Sequence, residues 1–187
     1  MVCFPAITTA AGSAYVGVVL VVRDQPQCWR LELTSCEVVT NIKWTPIIDA
    51  YFPTSTLEHL PYLEDSLERF QDQYPIVLGY LKADIGQYHN PHSQQVDDLM
   101  LEFRLVDLLQ HLWEHWQFRH MKTWSQVIRG RLIQARCDYI LGTDHHRFEM
   151  VIIRDIMNYP SYHFAMQARL LICPPEAVHN CGMGVLP

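Results

Sequence analysis

A chain of 187 residues that is 49% apolar and 18% charged can bury one core, which excludes wholesale disorder. Its 14 Lys and Arg against 20 Asp and Glu leave a formal net charge of −6, which excludes a globally basic nucleic-acid binder but not a local basic patch. Taken in chain order, residues 15–22 (YVGVVLVV) are β-branched and short and predict a buried strand. Residues 29–33 (WRLEL) alternate as a half-exposed strand does, and residues 46–52 (PIIDAYF) predict another, stopped by Pro53. Thr54 or Ser55 then caps a helix whose apolar positions Leu57, Leu60, Leu63, Leu67 and Phe70 recur every three or four residues, with Pro61 near its start. Residues 75–79 (PIVLG) read as a continuous apolar strand of the kind buried on both faces.

Helical periodicity returns over 93–116, with Val96, Leu99, Met100 and Phe103 on one face and Leu105, Leu108, Leu109 and Leu112 on another. Three strands are predicted after it, at 136–141 (RCDYIL), 149–154 (EMVIIR) and 163–172 (HFAMQARLLI), and the tail 174–187 has turn residues without a period and is expected to be loose. Mixed strands with intervening helices predict an α/β sandwich rather than the regular alternation of a doubly wound fold.

Six cysteines occur without a C-x-x-C pair, so neither a zinc ribbon nor a thioredoxin-like motif is expected. The apolar stretch 14–22 is too short for a membrane span and no positive charge precedes it as in a secretory signal, so the expectation is an intracellular chain with free thiols and no membrane partner, nucleus or cytoplasm unresolved. His111, His115 and His120 have partial metal-site spacing, but the glutamate of H-E-x-x-H is missing, and they read as a helix-surface cluster. Arg119, Lys122, Arg129, Arg131, Arg136 and Arg147 meet only Asp138 and Asp144 over the same stretch and are interleaved with Trp116, Phe118, Trp124 and Tyr139. Such a mixture suits phosphate contacts and base stacking; the plainer reading is a solvated region that balances an acidic helix layer.

An ordered series of short motifs says more. Tyr51-Phe52-Pro53 ends a strand, Gly79-Tyr80-Leu81-Lys82-Ala83-Asp84 follows PIVLG, Thr123-Trp124 follows the second helical block, Arg136-Cys137-Asp138-Tyr139-Ile140-Leu141 comes next, and Ser161-Tyr162-His163 opens the last strand. This order resembles the endonuclease/exonuclease/phosphatase family of metal-dependent phosphodiesterases. More narrowly, it is similar to the endonuclease domain of non-LTR retrotransposons, whose motifs read roughly Y-x-P, G-D-x-N-A, T-W, x-D-Y-I and S-D-H. The resemblance covers residues 14–173 and implies a single two-sheet α/β sandwich.

It also implies a chemistry. Water attacks a phosphodiester in line, and a Mg²⁺ held by carboxylates neutralises the charge that builds on the phosphate oxygens. By the resemblance, Tyr51 corresponds to the tyrosine near the phosphate, His163 to the histidine that donates to it, and Asp138 to the aspartate that orients the histidine; Ser161, Thr123 and Trp124 match as well. Tyr80 stands where the motif has its water-activating Asp, Lys82 where it has Asn, and Tyr162 where S-D-H has its Asp. Three positions thereby pass from a formal −2 to +1, which removes expected Mg²⁺ ligands and adds a competing cation. Asp84 is a stray carboxylate beyond the motif. About fifty residues precede Tyr51, and Asp24, Glu32 and Glu37 have no matching context, so the resemblance implies a fold incomplete at its N-terminus.

Each replacement is one base change from the expected codon, which fits both a decaying reading frame and a selected pseudoenzyme. The expectation is therefore a degenerate, noncatalytic relative of a Mg²⁺-dependent endonuclease of retrotransposon origin, in which Tyr51, Asp138 and His163 are remnants that do not suffice. No cofactor and no metal ligands are expected. Two alternatives stay open: a binding module that uses the old cleft to hold DNA or RNA weakly, or a protein, without metal, and a residual Mg²⁺-dependent phosphodiesterase.

Overall fold

The structure, a computed structural model, describes residues 2–3, 21–22, 28–33, 37–52, 57–83, 85, 91–112, 122–143, 147–154 and 162–171. The strands are β1 (Val2–Cys3), β2 (Val21–Val22), β3 (Cys28–Leu33), β4 (Glu37–Ile42), β5 (Thr45–Tyr51), β6 (Ile76–Tyr80), β7 (Val106–Asp107), β8 (Trp124–Ile128), β9 (Arg131–Ala135), β10 (Asp138–Gly142), β11 (Arg147–Arg154) and β12 (Ala165–Leu171). The helices are α1 (Leu60–Phe70), α2 (Pro91–Glu102) and α3 (Leu108–Leu112). Six strands form one sheet in the order β3-β4-β5-β6-β10-β7. Within it β5 and β6 run parallel, from Ile47 opposite Ile76 to Tyr51 opposite Tyr80, and α1 lies between them in sequence, as a parallel crossover requires.

Alternation along the central strands sorts their side chains onto two faces. Ile48 and Ala50 on β5 with Phe52 just beyond it, Val77 on β6, and Tyr139 and Leu141 on β10 face a helix layer in which α1 contributes Leu60, Leu63, Leu67 and Phe70 and α2 contributes Val96, Leu99 and Met100. The intervening residues Ile47, Ile76 and Ile140 face the other way, against Leu108 and Leu109 of α3 and Met166 and Ala168 of β12. That second layer consists of two antiparallel hairpins, β8–β9 and β11–β12, and a bridge between Trp124 and His163 links them. Helices α1 and α2 on one side, and the second strand layer with α3 on the other, make the predicted α/β sandwich. Among the described residues no helix is long and apolar enough to cross a membrane.

Several elements depart from the periodicity. The helical stretch predicted over 93–116 is two elements, because α2 stops at Glu102. Leu105 N donates to Met100 O (2.8 Å) while Arg104 takes a left-handed φ of 52°, a Schellman-type ending in which arginine occupies the position that glycine usually marks. Asp107 then caps α3 through a bond from Leu109 N to its Oδ1 (3.1 Å). Helix α1 begins at Leu60 after a 3₁₀ turn over Leu57–His59, and its N-cap is His59 without a side-chain cap bond; the predicted caps at 54 and 55 lie outside the described residues. The strand predicted at 75–79 is Ile76–Tyr80, buried at Ile76 and Val77 and half-exposed from Leu78 onward, where a cleft opens. Five strands were not expected: the two-residue β1 and β7, the second of which falls inside the stretch read as helical, β4, whose polar Glu37, Thr40 and Asn41 obscure its alternation, and the hairpin β8–β9. Most of 15–22 and the tail 174–187 lie outside the described residues.

Candidate functional site

Three neighbouring strands of the large sheet place same-face residues side by side. Tyr51 is in register with Tyr80, and Tyr80 with Asp138. All three share the face of Ile47, Leu78 and Ile140, which looks toward the second sheet rather than the helices. His163 reaches this row from the second layer. Its Nδ1 lies 2.9 Å from Asp138 Oδ2 and 3.2 Å from Oδ1, and its ring meets Tyr80 edge-on at 5.2 Å. The Tyr51 and Tyr80 rings are 5.4 Å apart, so the row Tyr51–Tyr80–Asp138–His163 is continuous. A carboxylate that accepts Nδ1–H fixes the orientation of the imidazole.

Thr123 holds the arrangement from below. Fully buried, its Oγ1 accepts both Cys137 N–H and Asp138 N–H at 3.0 Å, while its carbonyl accepts Phe164 N–H at 2.8 Å. One residue thereby positions the strand that carries Asp138 and the segment that carries His163. Opposite, Leu81 N and Lys82 N both donate to Cys137 O (2.9 and 3.3 Å), and Tyr139 OH donates to Ala83 O (2.8 Å) and accepts Ile85 N–H (3.1 Å). These bonds pin the segment after β6. Glycine is required at position 79, where φ is +127° and a Cβ would sit 2.0 Å from Ala50 O.

The electrostatics of the cleft differ from those of a magnesium site. Burial first, and then nearby Cys137, Tyr51 and Asp138, push the Tyr80 phenol up to about 12, so it is neutral at physiological pH. A cavity of about 370 Å³ adjoins the row and is lined by Asp49, Leu78, Asp138, Ile140, Phe164 and Met166. Burial raises the Asp49 carboxyl to about 7. The sequence reading missed Asp49, although its parity with Ile47 and Tyr51 in PIIDAYF was the signal that it shares their face. Glu37, also raised to about 7 by burial, hydrogen-bonds Ser66 of α1 and so lies on the helix side of the sheet, away from the row. Among the described residues the cleft therefore offers Asp138, engaged with His163, and Asp49, whose charged form burial disfavours. Mg²⁺ asks for several ionised oxygen ligands, and these residues do not fit it.

Tyr162 is exposed, 59% accessible, and points a phenol where S-D-H would have a carboxylate. Lys82 is half-buried with a φ of 50°. Trp124 is half-buried and bridges to His163. Ser161, Asp84, His115 and His120 lie outside the described residues, and His111 is placed only as part of α3. The basic stretch divides. Arg136 is nearly buried, paired with Asp107 and stacked over the Tyr139 ring at 5.0 Å, so its role is structural. Arg129 and Arg131 are exposed at the tip of β8–β9, beside exposed Val127, Ile128, Leu132 and Ile133.

Comparison with solved structures places this architecture among known ones. The chain is similar to the endonuclease domain of TRAS1, a telomere-specific non-LTR retrotransposon, with a TM-score of 0.68 and 18% identity over 91% of this chain and 80% of that one. It is also similar to a 3′ phosphatase from Neisseria bound to product DNA hairpin (TM-score 0.57, 14% identity, 79% of this chain and 71% of that one). An AP endonuclease from Archaeoglobus fulgidus matches with a TM-score of 0.51 and 18% identity over 74% of this chain and 66% of that one. No family profile matches the sequence, and no curated protein is significantly similar to it. At these identities the likeness is one of fold.

Proposed function

We propose that this chain, whose fold is that of the endonuclease/exonuclease/phosphatase proteins, is a noncatalytic relative of Mg²⁺-dependent phosphodiesterases. The observation that supports this most is Tyr80. By the motif order it holds the position of the water-activating aspartate, and it sits in register between Tyr51 and Asp138 with its ring against His163. A neutral phenol there neither takes a proton from water nor holds a divalent cation. Asp138 and His163 keep a geometry able to donate to a phosphate, but a donor without an activated nucleophile leaves the hydrolytic barrier largely intact. The test is incubation of the protein with supercoiled plasmid across Mg²⁺ and Mn²⁺ concentrations. The expected result is no nicking above background; metal-dependent nicking that disappears in His163→Ala contradicts the proposal.

A second reading, binding of nucleic acid without Mg²⁺, draws on exposed Arg129 and Arg131 and on the tyrosines and lysine that replace phosphate-repelling carboxylates. One structural neighbour is itself bound to a DNA hairpin. Binding in this reading is weak and indifferent to sequence. In fluorescence anisotropy with short duplexes it falls steeply with salt, and Lys82→Glu weakens it more than Lys43→Glu. Flat titrations at low salt, or equal effects of the two lysine variants, contradict it.

A further inference from the structure

Cys137, Asp138 and His163 bring a thiol, a carboxylate and an imidazole to one place, with one ligand atom from each lying within 4.8 Å of the others. Cys137 Sγ is 3.7 Å from Asp138 Oδ2, and His163 Nδ1 is 2.9 Å from the same oxygen. We propose that these three residues form a binding site for a thiophilic divalent cation of the Zn²⁺ class, distinct in ligand chemistry from a magnesium site.

The donor set selects the metal. Thiolate and imidazole favour Zn²⁺ and its late first-row neighbours, whereas Mg²⁺ and Ca²⁺ take oxygen. Tetrahedral Zn²⁺ bonds of about 2.0–2.3 Å put adjacent ligand atoms roughly 3.3–3.6 Å apart. The sulfur–oxygen separation is already close to that span, the nitrogen–oxygen pair has to open by a few tenths of an ångström, and the sulfur–nitrogen pair, within 4.8 Å, closes toward it on binding. On binding, the Cys137 thiol gives up its proton, the His163 proton moves from Nδ1 to Nε2, and Asp138 exchanges its hydrogen bond for a metal bond. Three protein ligands leave a fourth position for water or an anion.

The surroundings prearrange the cluster. Consecutive residues of a regular strand point to opposite faces, but β10 begins only at Asp138, and Thr123 Oγ1 gathers both the Cys137 and the Asp138 N–H. That shared acceptor holds the 137–138 junction at the point where the two side chains meet at 3.7 Å. The bridge from Trp124 to His163 and the edge of Tyr80 fix the imidazole from the other side. Cys137 is 6% exposed and His163 is exposed, so a cation arriving from solvent meets the histidine first and seats against the thiol. The inference needs only this geometry and stands whether or not the chain cleaves phosphodiesters.

The experiment is a titration of the full chain with Co²⁺, which reports a thiolate ligand by a near-ultraviolet charge-transfer band and a four-coordinate site by intense visible bands, followed by displacement with Zn²⁺ or Mg²⁺. The expected result is one equivalent of Co²⁺ with both signatures, displaced by Zn²⁺ and unmoved by Mg²⁺. The charge-transfer band is lost in Cys137→Ser, and affinity falls at least about 10-fold in His163→Ala, an exposed position that leaves the fold intact. Absence of the charge-transfer band in the wild type overturns the site. So does a band that survives in Cys137→Ser, or affinity unchanged in His163→Ala.

Discussion

At the scale of single residues, the cleft is governed by what burial does to polar groups. Asp49 is raised from 3.8 to about 7 by desolvation, so its charged form is disfavoured in the fold. A folded-state pKa above the unfolded one stabilises the fold fully below the unfolded value, and that contribution is lost as pH rises through the folded value. Asp49→Asn, which never ionises, should therefore gain on the wild type by roughly 2–3 kcal/mol between pH 5 and pH 8. Urea unfolding at the two pH values measures this, and an identical difference at both contradicts it. Glu37 titrates in the same range in both proteins and cancels from the comparison. Thr123 makes a second residue-scale case. Thr123→Val leaves one buried and one partly buried N–H group without their acceptor and should cost about 2–4 kcal/mol, while Thr123→Ser keeps the oxygen and most of the stability. Asp138 and His163 were readable in the sequence because a motif names them. Asp49 and Cys137 were not, since one sits inside an apolar strand and the other meets Asp138 only in the folded chain, just before β10 begins.

At the scale of elements, what could be read was what periodicity carries. Helix α1 shows its stripe plainly, and Leu63 and Leu67 are buried to within 1% against the sheet. Leu67→Ala should destabilise the protein by about 2–5 kcal/mol in urea unfolding, and a loss below 1 kcal/mol would mean that the helix layer is not packed as described. The elements that were missed lack that signal. Strand β4 turns polar residues inward, so Glu37 and Thr40 are buried where alternation would call for apolar ones. Hairpin β8–β9 exposes apolar residues on its outer half, so its pattern does not separate a core face from a solvent face. The stop between α2 and β7 carries an arginine in the left-handed region rather than a glycine. Arg104→Gly should accordingly be neutral or stabilising by about 0.5–1 kcal/mol, whereas glycine inside a helix costs a similar amount. A clear loss of stability in that variant would show that the Arg104 side chain matters more than its backbone.

At the scale of the whole molecule, the site exists because two layers meet. The large sheet supplies Tyr51, Tyr80 and Asp138, the second layer supplies His163, and Thr123 ties the two together. The buried Asp107–Arg136 pair fastens α3 and β7 to the start of β10 near the same place. The five ordered motifs were enough to foresee this architecture, because each falls at the end of a strand where the fold brings strand ends together. In the proposed reading, Tyr80 is what keeps the assembled cleft from cleaving. The most direct measurement is plasmid nicking with protein in excess over DNA, long incubation, and Mg²⁺ or Mn²⁺ present, for the wild type beside His163→Ala. The expected result is that both proteins leave the plasmid supercoiled to the same extent as buffer. Metal-dependent nicking by the wild type that His163→Ala abolishes would contradict it.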